Sequence, residues 1–415
     1  MRTKGKKPLF TPFEKKSIFG LSAILFFRML GLFLILPVFS LLAHENLGGA
    51  TPFLIGLAMG GYGLTSALLQ IPFGAWSDRV GRKPVLAFGI VLFIAGSLLA
   101  AVATDINQMI IARLLQGAGA VSAPIFALIA DLTRPEVRAR ANAFLGGGIG
   151  MAFGIAMFAA PILAGFIGLS GLFYLIAGLA TISLLVLFMM VPTPLERIVT
   201  KEPLKVLLAK TLKIKPLQTI NLGSFVASMG LSATFFLTPF VLKEFGLEKT
   251  EWWKVYIPML LCGGVAMVPA AIFAEVKNKF REVMMVGIFL MLASFTILAF
   301  AWGEGYLGLK IASAFLFFMA YNMFEPIFPS LVTRMTTAET KGTASGVYNF
   351  SQFIGQFAGG ALAGYFFSQP QPWLPALLIV GALYFLYKTF KFPNPEPRQK
   401  HHIEPDEAQL ATEET

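Results

Sequence analysis

The stretch GAWSDRVGRKP, from Gly74 to Pro84, sets one acidic and three basic residues between long apolar segments. On insertion scales a charged side chain costs about 2.5–3.5 kcal/mol at the centre of a spanning helix. The stretch therefore predicts a short loop at a membrane surface with a spanning helix on each side. Placing a loop does not require the acid, Asp78, or the glycines, which indicates a second role for this stretch.

Composition extends the membrane prediction to the whole chain. Of the 415 residues, 56% are hydrophobic and 13% are charged, and the mean hydropathy is +0.73. Soluble proteins carry about 25% charged residues, so this composition excludes a soluble domain. The single cysteine, Cys262, excludes a disulfide framework, and the three histidines form no spaced ligand set. With no catalytic triad or nucleotide loop in the sequence, we expect neither an enzyme nor a cofactor or metal.

Twelve segments are apolar and long enough to cross a bilayer, which takes about 20 residues. The sequence thus predicts an all-α membrane protein of two six-helix halves, with an N-terminal arm at 1–16, bundles at 17–190 and 217–390, a linker at 191–216 and a tail at 391–415. The predicted spans are 17–43, 52–76, 84–103, 106–131, 139–166, 170–190, 217–243, 251–276, 281–301, 305–333, 341–367 and 371–390.

The distribution of basic residues predicts the orientation of these spans. Most of the 33 lysines and arginines fall in the N-terminal arm, the linker, the tail and alternate loops. By the positive-inside rule these segments and both termini are cytoplasmic. The net charge of +11 follows from basic residues at helix ends beside anionic lipid, so we expect no nucleic-acid partner.

The two halves repeat each other in sequence. At an offset of 203 residues, "LIADLTRPEVRARANAFLGG" (128–147) matches "LVTRMTTAETKGTASGVYNF" (331–350), with threonines, acids, bases and alanines aligned. Pro72 precedes Asp78 by the same spacing as Pro269 precedes Glu275. Parallel repeats of this kind are typical of transporters, whose site lies between the halves near the membrane midplane.

Over almost its whole length the chain resembles the major facilitator superfamily. The stretch at 74–84 matches the superfamily's loop signature, "RLLQGAGA" at 113–120 resembles its fourth-helix motif, and "GGGIGMAFGIAMFAAPILAG" at 146–165 partly matches the motif of drug:proton antiporters. "FRMLGLFLILPV" at 27–38 and "WWKVYIPMLL" at 252–261 resemble the YajR-type bacterial members. Some of those members carry a soluble C-terminal domain, which we do not expect in residues 391–415.

This resemblance implies a conformational latch around the opening stretch. In similar proteins the acid of the motif docks on the N-terminus of the eleventh helix when the carrier faces outward, and the arginine of the motif bonds an acid at the end of the fourth helix. Free N–H groups at a helix N-terminus stabilise such an acid. The alternative is that the basic residues only fix the orientation of the loop. The implied latch residues are Gly74, Asp78, Arg79, Gly81, Arg82, Lys83 and Asp131.

Three charged residues fall well inside predicted spans, away from the span ends: Arg28, Arg113 and Glu325. Each should face the bundle interior or a wet cavity, because lipid contact is costly. They lie on spans 1, 4 and 10, which line the cavity in the resembling fold. Glu325 is the leading candidate for proton coupling, since burial disfavours the charged form of a carboxylic acid. Alternatively, Glu325 forms a structural ion pair with Arg28 or Arg113.

Polar and small residues complete the candidate sites. Polar side chains near the midplane could contact substrate or simply join helices by hydrogen bonds; these are Gln70, Gln116, Tyr321, Asn322, Tyr348, Asn349, Gln352 and Gln356. Glycines at four-residue spacing predict close helix packing between the halves, or alternatively a dimer interface; these are Gly146, Gly150, Gly154, Gly355 and Gly359.

These features favour a secondary transporter of a bacterial inner membrane that works by alternating access. We expect a monomer that uses the proton gradient to export a hydrophobic or amphipathic small molecule. A proton symporter that imports a small solute is the alternative within transport, and a transporter-derived membrane sensor is the alternative from another class. A channel would not need two matched halves with gating charges on one side.

Overall fold

The computed structural model describes residues 10–119, 122–192, 204–303, 305–337 and 340–395, and these are almost entirely helical. The helices are α1 (Pro12–Ile35), α2 (Phe39–Asn46), α3 (Pro52–Val80), α4 (Arg82–Val102), α5 (Ile106–Ala118), α6 (Ser122–Leu132), α7 (Pro135–Met190), α8 (Leu204–Leu212), α9 (Lys215–Glu244), the 3-10 turn η1 (Lys249–Glu251), α10 (Trp253–Lys277), α11 (Phe280–Phe300), α12 (Leu307–Arg334), α13 (Lys341–Phe366) and α14 (Trp373–Phe390).

The described helices account for all twelve predicted spans. Nine of them meet the length and hydropathy of a spanning segment within the described ranges. One of the nine, α7, contains two predicted spans, separated at Gly168, whose φ of 64° breaks the helix. The remaining two predicted spans correspond to the α5–α6 pair and to α13. The all-α fold class predicted from the sequence is confirmed.

Two predicted spans were wrong in detail, because local backbone chemistry interrupts them. Span 17–43 begins earlier, at Pro12, since Thr11 and Glu14 cap each other's backbone N–H groups in a capping box. The helix then stops at Ile35 and resumes at Phe39, with Pro37 in the break. Span 106–131 is divided, since α5 ends at Ala118 and the following Gly119 is not helical.

Each half packs around its own long helices. In the first half α1 and α4 lie along α7, and α3 lies along α5. In the second half α13 lies along α9, and α12 packs on α10 and α11. The repeat is visible in hydrogen bonds: Thr133 donates to the carbonyl of Ile129 at 2.6 Å, and Thr336, 203 residues later, donates to that of Val332 at 2.7 Å.

The linker predicted at 191–216 is partly described. Residues 193–203 lie outside the described ranges, and Leu204–Leu212 form α8. The arm before residue 10 and the tail after residue 395 lie outside the described ranges as well.

The two halves meet along two seams. One seam joins α3 to α13, and the other joins α7 to α10 and η1. Both seams are tight at the end where α3 begins, which the charge distribution places outside the cell. A Cβ built on Gly56, Gly60 or Gly63 would clash with the backbone of α13. On the other seam the rings of Phe158 and Trp253 lie 5.7 Å apart.

Both seams separate toward the opposite end, the predicted cytoplasmic end. On α7, a Cβ at Gly154 would lie 3.5 Å from Leu260 of α10, but Gly150 and Gly146 face open space among the described residues. Gly264, one turn beyond Leu260, also has open space beside it in the described structure. The structure therefore has a closed predicted outer end and an open predicted inner end.

Candidate functional site

The loop between α3 and α4 is held to the end of α6 by an ion pair. Gly81, with a φ of 116°, ends α3 and allows α4 to begin at Arg82. Arg82 Nε lies 3.2 Å from Asp131 Oδ2, and Arg82 Nη1 lies 3.0 Å from Ser77 Oγ. Lys83 donates to the carbonyl of Val191 at 2.7 Å. The structure thus contains the contact between Arg82 and Asp131 that the resemblance implied.

The other residues of the predicted latch lie at the open end of the molecule. The side chain of Asp78 is outside the described part of the structure. Arg79 is exposed, and neither Gly74 nor Gly342, at the start of α13, has a described atom near the position of a Cβ.

The second half ties the corresponding loop with reversed charges. Glu275, the repeat counterpart of Asp78, bonds Arg334, which is the counterpart of Asp131. Ser330 donates to the same carboxylate. The first half thus joins the start of its third span, at Arg82, to the end of its fourth, whereas the second half joins the end of its second span, at Glu275, to the end of its fourth.

Arg28 and Arg113 are both buried, at 3% and 2% exposure, and both contact Tyr62 of α3. Arg28 donates to the Tyr62 hydroxyl at 3.2 Å and to the Gly119 carbonyl at 2.8 Å. The Arg113 guanidinium lies 5.3 Å from the centre of the Tyr62 ring and donates to Gln116 at 2.5 Å. The alternative of an ion pair between these arginines and Glu325 was wrong, because amide, phenol and carbonyl groups bind them instead.

Glu325 lies on α12 in the second half, and its side chain is exposed. A small cavity around its carboxylate is lined by Ser224, Tyr321, Tyr348 and Gln352, among others. No ion pair joins Glu325 to any residue in the described ranges. A carboxylate in mid-span, facing an open cavity and without a cationic partner there, can bind and release a proton without breaking an ion pair.

The polar candidates separate into two groups. Gln70 and Gln116 are buried, and Gln116 links Arg113 to Ser97 through hydrogen bonds of 2.5 and 2.8 Å. Tyr348 is also buried, beside Glu325. The remaining candidates are partly exposed on α12 and α13; these are Tyr321, Asn322, Asn349, Gln352 and Gln356. The second group can reach a bound molecule, whereas Gln116 joins helices.

The predicted glycine contacts need correction. Gly355 and Gly359 press against the backbone of α9 within the same half, so they do not lie between the halves. Their neighbours Gly360 and Gly364 face α3 across the seam. Gly146 and Gly150 are exposed at the open end, and of the predicted α7 glycines Gly154 alone lies close to α10 in the described structure.

Sequence reasoning missed three residues that join parts of the site: Tyr62, Glu45 and Tyr256. Tyr62 contacts both buried arginines, and its ring centre lies 6.4 Å from that of Phe353 in the other half. Glu45 and Tyr256 make polar contacts between the halves at the closed end. A tyrosine in an apolar helix and a carboxylate at a helix end are common, so neither residue type gave a signal in the sequence.

Comparison with known proteins agrees with this architecture. A family model described as Major Facilitator Superfamily matches residues 21–360 and 280–413. The chain is 39% identical over 357 residues to "Inner membrane transport protein YajR" of Escherichia coli (strain K12), covering 86% of this chain and 78% of that protein. It is 26% identical over 369 residues to "Multidrug resistance protein 2" of Bacillus subtilis (strain 168), covering 85% of this chain and 90% of that protein.

A solved structure gives the same result for the fold. The crystal structure of a D-xylose-proton symporter superposes with a TM-score of 0.72 at 17% sequence identity, covering 93% of this chain and 99% of the other. The relationship to YajR and the family match identify the chain as a membrane transporter rather than an enzyme. The chain belongs to the Major Facilitator Superfamily.

Proposed function

We propose that this transporter works by alternating access and couples the export of a hydrophobic or amphipathic small molecule to proton entry. The observation that carries the proposal is Glu325, an exposed carboxylate in mid-span beside a small cavity of the second half, with no ion-pair partner among the described residues. In the proposed cycle a proton and the substrate alternate at this cavity, and the energy comes from the proton gradient without a cofactor.

The surroundings of Glu325 support an apolar substrate with a polar group. Phe324, Phe328, Tyr321 and Tyr348 place aromatic rings around the carboxylate. Phe324, Phe328 and Tyr348 are buried, at 1%, 2% and 7% exposure, so of these four rings it is the partly exposed Tyr321 that offers an aromatic face and a hydroxyl group to a bound molecule. The names of relatives such as the Bacillus multidrug resistance protein are consistent with export of this class of compound.

Import of a small solute together with a proton is the second candidate. The proton-linked sugar transporter that shares the fold shows that the same architecture serves symport in another protein. Partly exposed amide groups, including Asn322, Asn349 and Gln352, could bind hydroxyl groups of a solute. A role as a membrane sensor remains the alternative from another class, and it predicts ligand binding without net transport.

We further propose that the protein lies in a bacterial inner membrane as a monomer with both termini in the cytoplasm. The concentration of basic residues on one side supports this orientation, and the relative named "Inner membrane transport protein YajR" supports the inner-membrane location. With this orientation, the open end of the structure faces the cytoplasm and the closed end faces outward.

Transport in inverted membrane vesicles tests the coupling. Vesicles containing a pH-sensitive dye are energised and then offered a panel of amphipathic compounds and small sugars. Antiport predicts that a substrate causes protons to leave the acidified lumen, and vesicles with Glu325→Gln should show no such efflux. Compound-dependent proton movement in the opposite direction would favour symport. Binding of a compound without any transport would favour the sensor.

A further inference from the structure

The closed end of the molecule contains a carboxylate that bridges the two halves. Glu45, at the end of α2 in the first half, lies 2.7 Å from Lys243 of α9 and 2.5 Å from Lys249 of η1. Both lysines belong to the second half. The three side chains are partly exposed, at 25%, 58% and 34%, so water can reach the cluster.

Two buried hydrogen bonds join the halves in the same layer. The Tyr256 hydroxyl donates to the carbonyl of Pro37, in the break between α1 and α2, at 2.8 Å. Ser40 Oγ donates to the carbonyl of Phe236 on α9, also at 2.8 Å. These bonds are short and fixed in direction, so they align α2 with α9 and α10 and bring Glu45 to its lysines.

We propose that Glu45, Lys243 and Lys249 form an ionic lock that holds the outer end closed and opens when the carrier turns outward. The lock rests on the alternating-access cycle proposed above, because it matters only if the outer end opens. It would act opposite to the predicted latch of Asp78, which favours closure of the inner end.

The chemistry of the cluster suits a reversible gate. Exposed ion pairs contribute little net free energy, because water solvates the separated charges almost as well. Two such pairs therefore favour the closed state by a small free energy, and the outer end can still open.

The lock is formed at neutral pH. Partial burial alone would favour the neutral form of Glu45, but hydrogen bonds from Lys243 and Lys249 outweigh it and hold the pKa of Glu45 below its ordinary value of 4.5. Glu248 borders the same groove and adds a second negative charge near the lysines. Glu45 therefore remains ionised at pH 7, and its two contacts persist.

The test measures how often the outer end opens. In a chain with Cys262→Ser, Ser40→Cys places a thiol at a position that is fully buried in the closed end. A membrane-impermeant maleimide is added from the outer side, and the labelling rate is compared between the parent and Glu45→Gln. The lock predicts a rate about threefold to tenfold higher in Glu45→Gln, as expected for losing two exposed ion pairs.

The chain offers a matched control at the same end. Glu251 and Lys254 form an exposed ion pair within the second half, at 2.5 Å. Glu251→Gln removes the same charge without crossing between the halves, so its labelling rate should equal that of the parent. Equal rates in all three proteins would overturn the lock. A charge swap, Glu45→Lys with Lys243→Glu and Lys249→Glu, should bring the rate back toward the parent value.

A separate measurement distinguishes failure of the lock from failure of the transport cycle. Labelling of the parent thiol is compared with and without a proton gradient. A gradient-dependent rate together with no effect of Glu45→Gln would reject the lock and retain alternating access. No gradient dependence of labelling at this thiol or at one placed near Gly150 would reject the proposed cycle itself.

Discussion

At the scale of single residues, the main question is whether Glu325 carries the coupled proton. Its side chain faces an open cavity and lacks an ion-pair partner in the described ranges, so removing its charge breaks no salt bridge. Loss of a buried ion pair would cost about 3–5 kcal/mol and reduce expression. Because the described structure contains no such pair at Glu325, a variant that removes its charge can lose transport without losing stability, and the two effects can be measured separately.

We predict that Glu325→Gln is expressed normally and exchanges substrate across the membrane, but cannot use a proton gradient to accumulate it. Glutamine resembles the protonated carboxyl group, so substrate binding should survive while proton release is lost. Expression, exchange and gradient-driven transport are measured on the same vesicles. Normal accumulation would remove Glu325 from the coupling mechanism, and low expression would indicate a structural role.

The ion pair between Arg82 and Asp131 permits a test of the loop network. Arg82→Ala and Asp131→Asn should each slow transport, because each releases the α3–α4 loop from the end of α6. The double variant should lose less activity than the product of the two separate losses, since the partners contact each other at 3.2 Å. Transport rates of the parent, the two single variants and the double variant give the interaction energy between the two residues. If the loss in the double variant equals the product of the two single losses, the contact has no role in transport.

At the scale of elements, the α3–α13 seam depends on glycines that allow backbones to touch. A Cβ at Gly56 would overlap the carbonyl of Gly360, whereas a Cβ at Gly178 on α7 would meet no atom of the described structure. Small residues of this kind are the usual means of close helix approach in membranes.

We predict that Gly56→Ala destabilises the closed outer end by about 1–3 kcal/mol, the usual range for overpacking. Gly178→Ala should leave the closed end unchanged, because the added methyl group has space. The labelling rate of the Ser40→Cys reporter measures the effect in both proteins. A similar rate in Gly56→Ala and the parent would show that the seam can move aside at no cost.

At the scale of the whole molecule, the seams between the halves are closed at the predicted outer end and open at the predicted inner end, as expected for one state of the proposed alternating-access cycle. Gly165 of α7 and Thr250 of η1 face each other across the closed end. A Cβ on Gly165 would lie 4.0 Å from Cβ of Thr250. This separation lies within the range for disulfides, about 3.5–4.5 Å.

We predict that Gly165→Cys with Thr250→Cys, in the Cys262→Ser background, forms a disulfide under mild oxidation and stops transport. Reduction should restore transport, because the bridge prevents the outer end from opening and leaves each half intact. Electrophoretic mobility after proteolysis between the halves detects the bridge. Full transport by the bridged protein would mean that the halves do not separate at this end.

Asp78→Asn should change the rate at which this disulfide forms. The predicted latch stabilises the outward-facing state, so losing its charge should favour the closed outer end and make the bridge form faster. Membrane insertion should be unaffected, because asparagine keeps the shape of the side chain at the loop. Identical rates in Asp78→Asn and the parent would leave the acid without a role in the conformational balance.

The sequence by itself determined the membrane class and the approximate positions of the spans, and the resemblance to the superfamily implied the contact between Arg82 and Asp131. Membrane insertion depends on apolar length and charge along the chain, which are local properties. The sequence also placed Arg28, Arg113 and Glu325 within spans. It did not show what each side chain contacts, because the partners come from distant helices. Only the tertiary structure showed that Tyr62 and Gln116 bind the arginines and that Glu325 faces an open cavity.

The tertiary structure also decided which glycines lie between the halves. Gly359 and Gly360 are adjacent in sequence but point about 100° apart around α13, so one packs on α9 and the other on α3. Four-residue spacing places glycines along one face of a helix, but it does not show which neighbouring helix packs against that face. The ionic bridge of Glu45 was likewise invisible, since its lysines lie about two hundred residues away and meet it only because the outer end is closed.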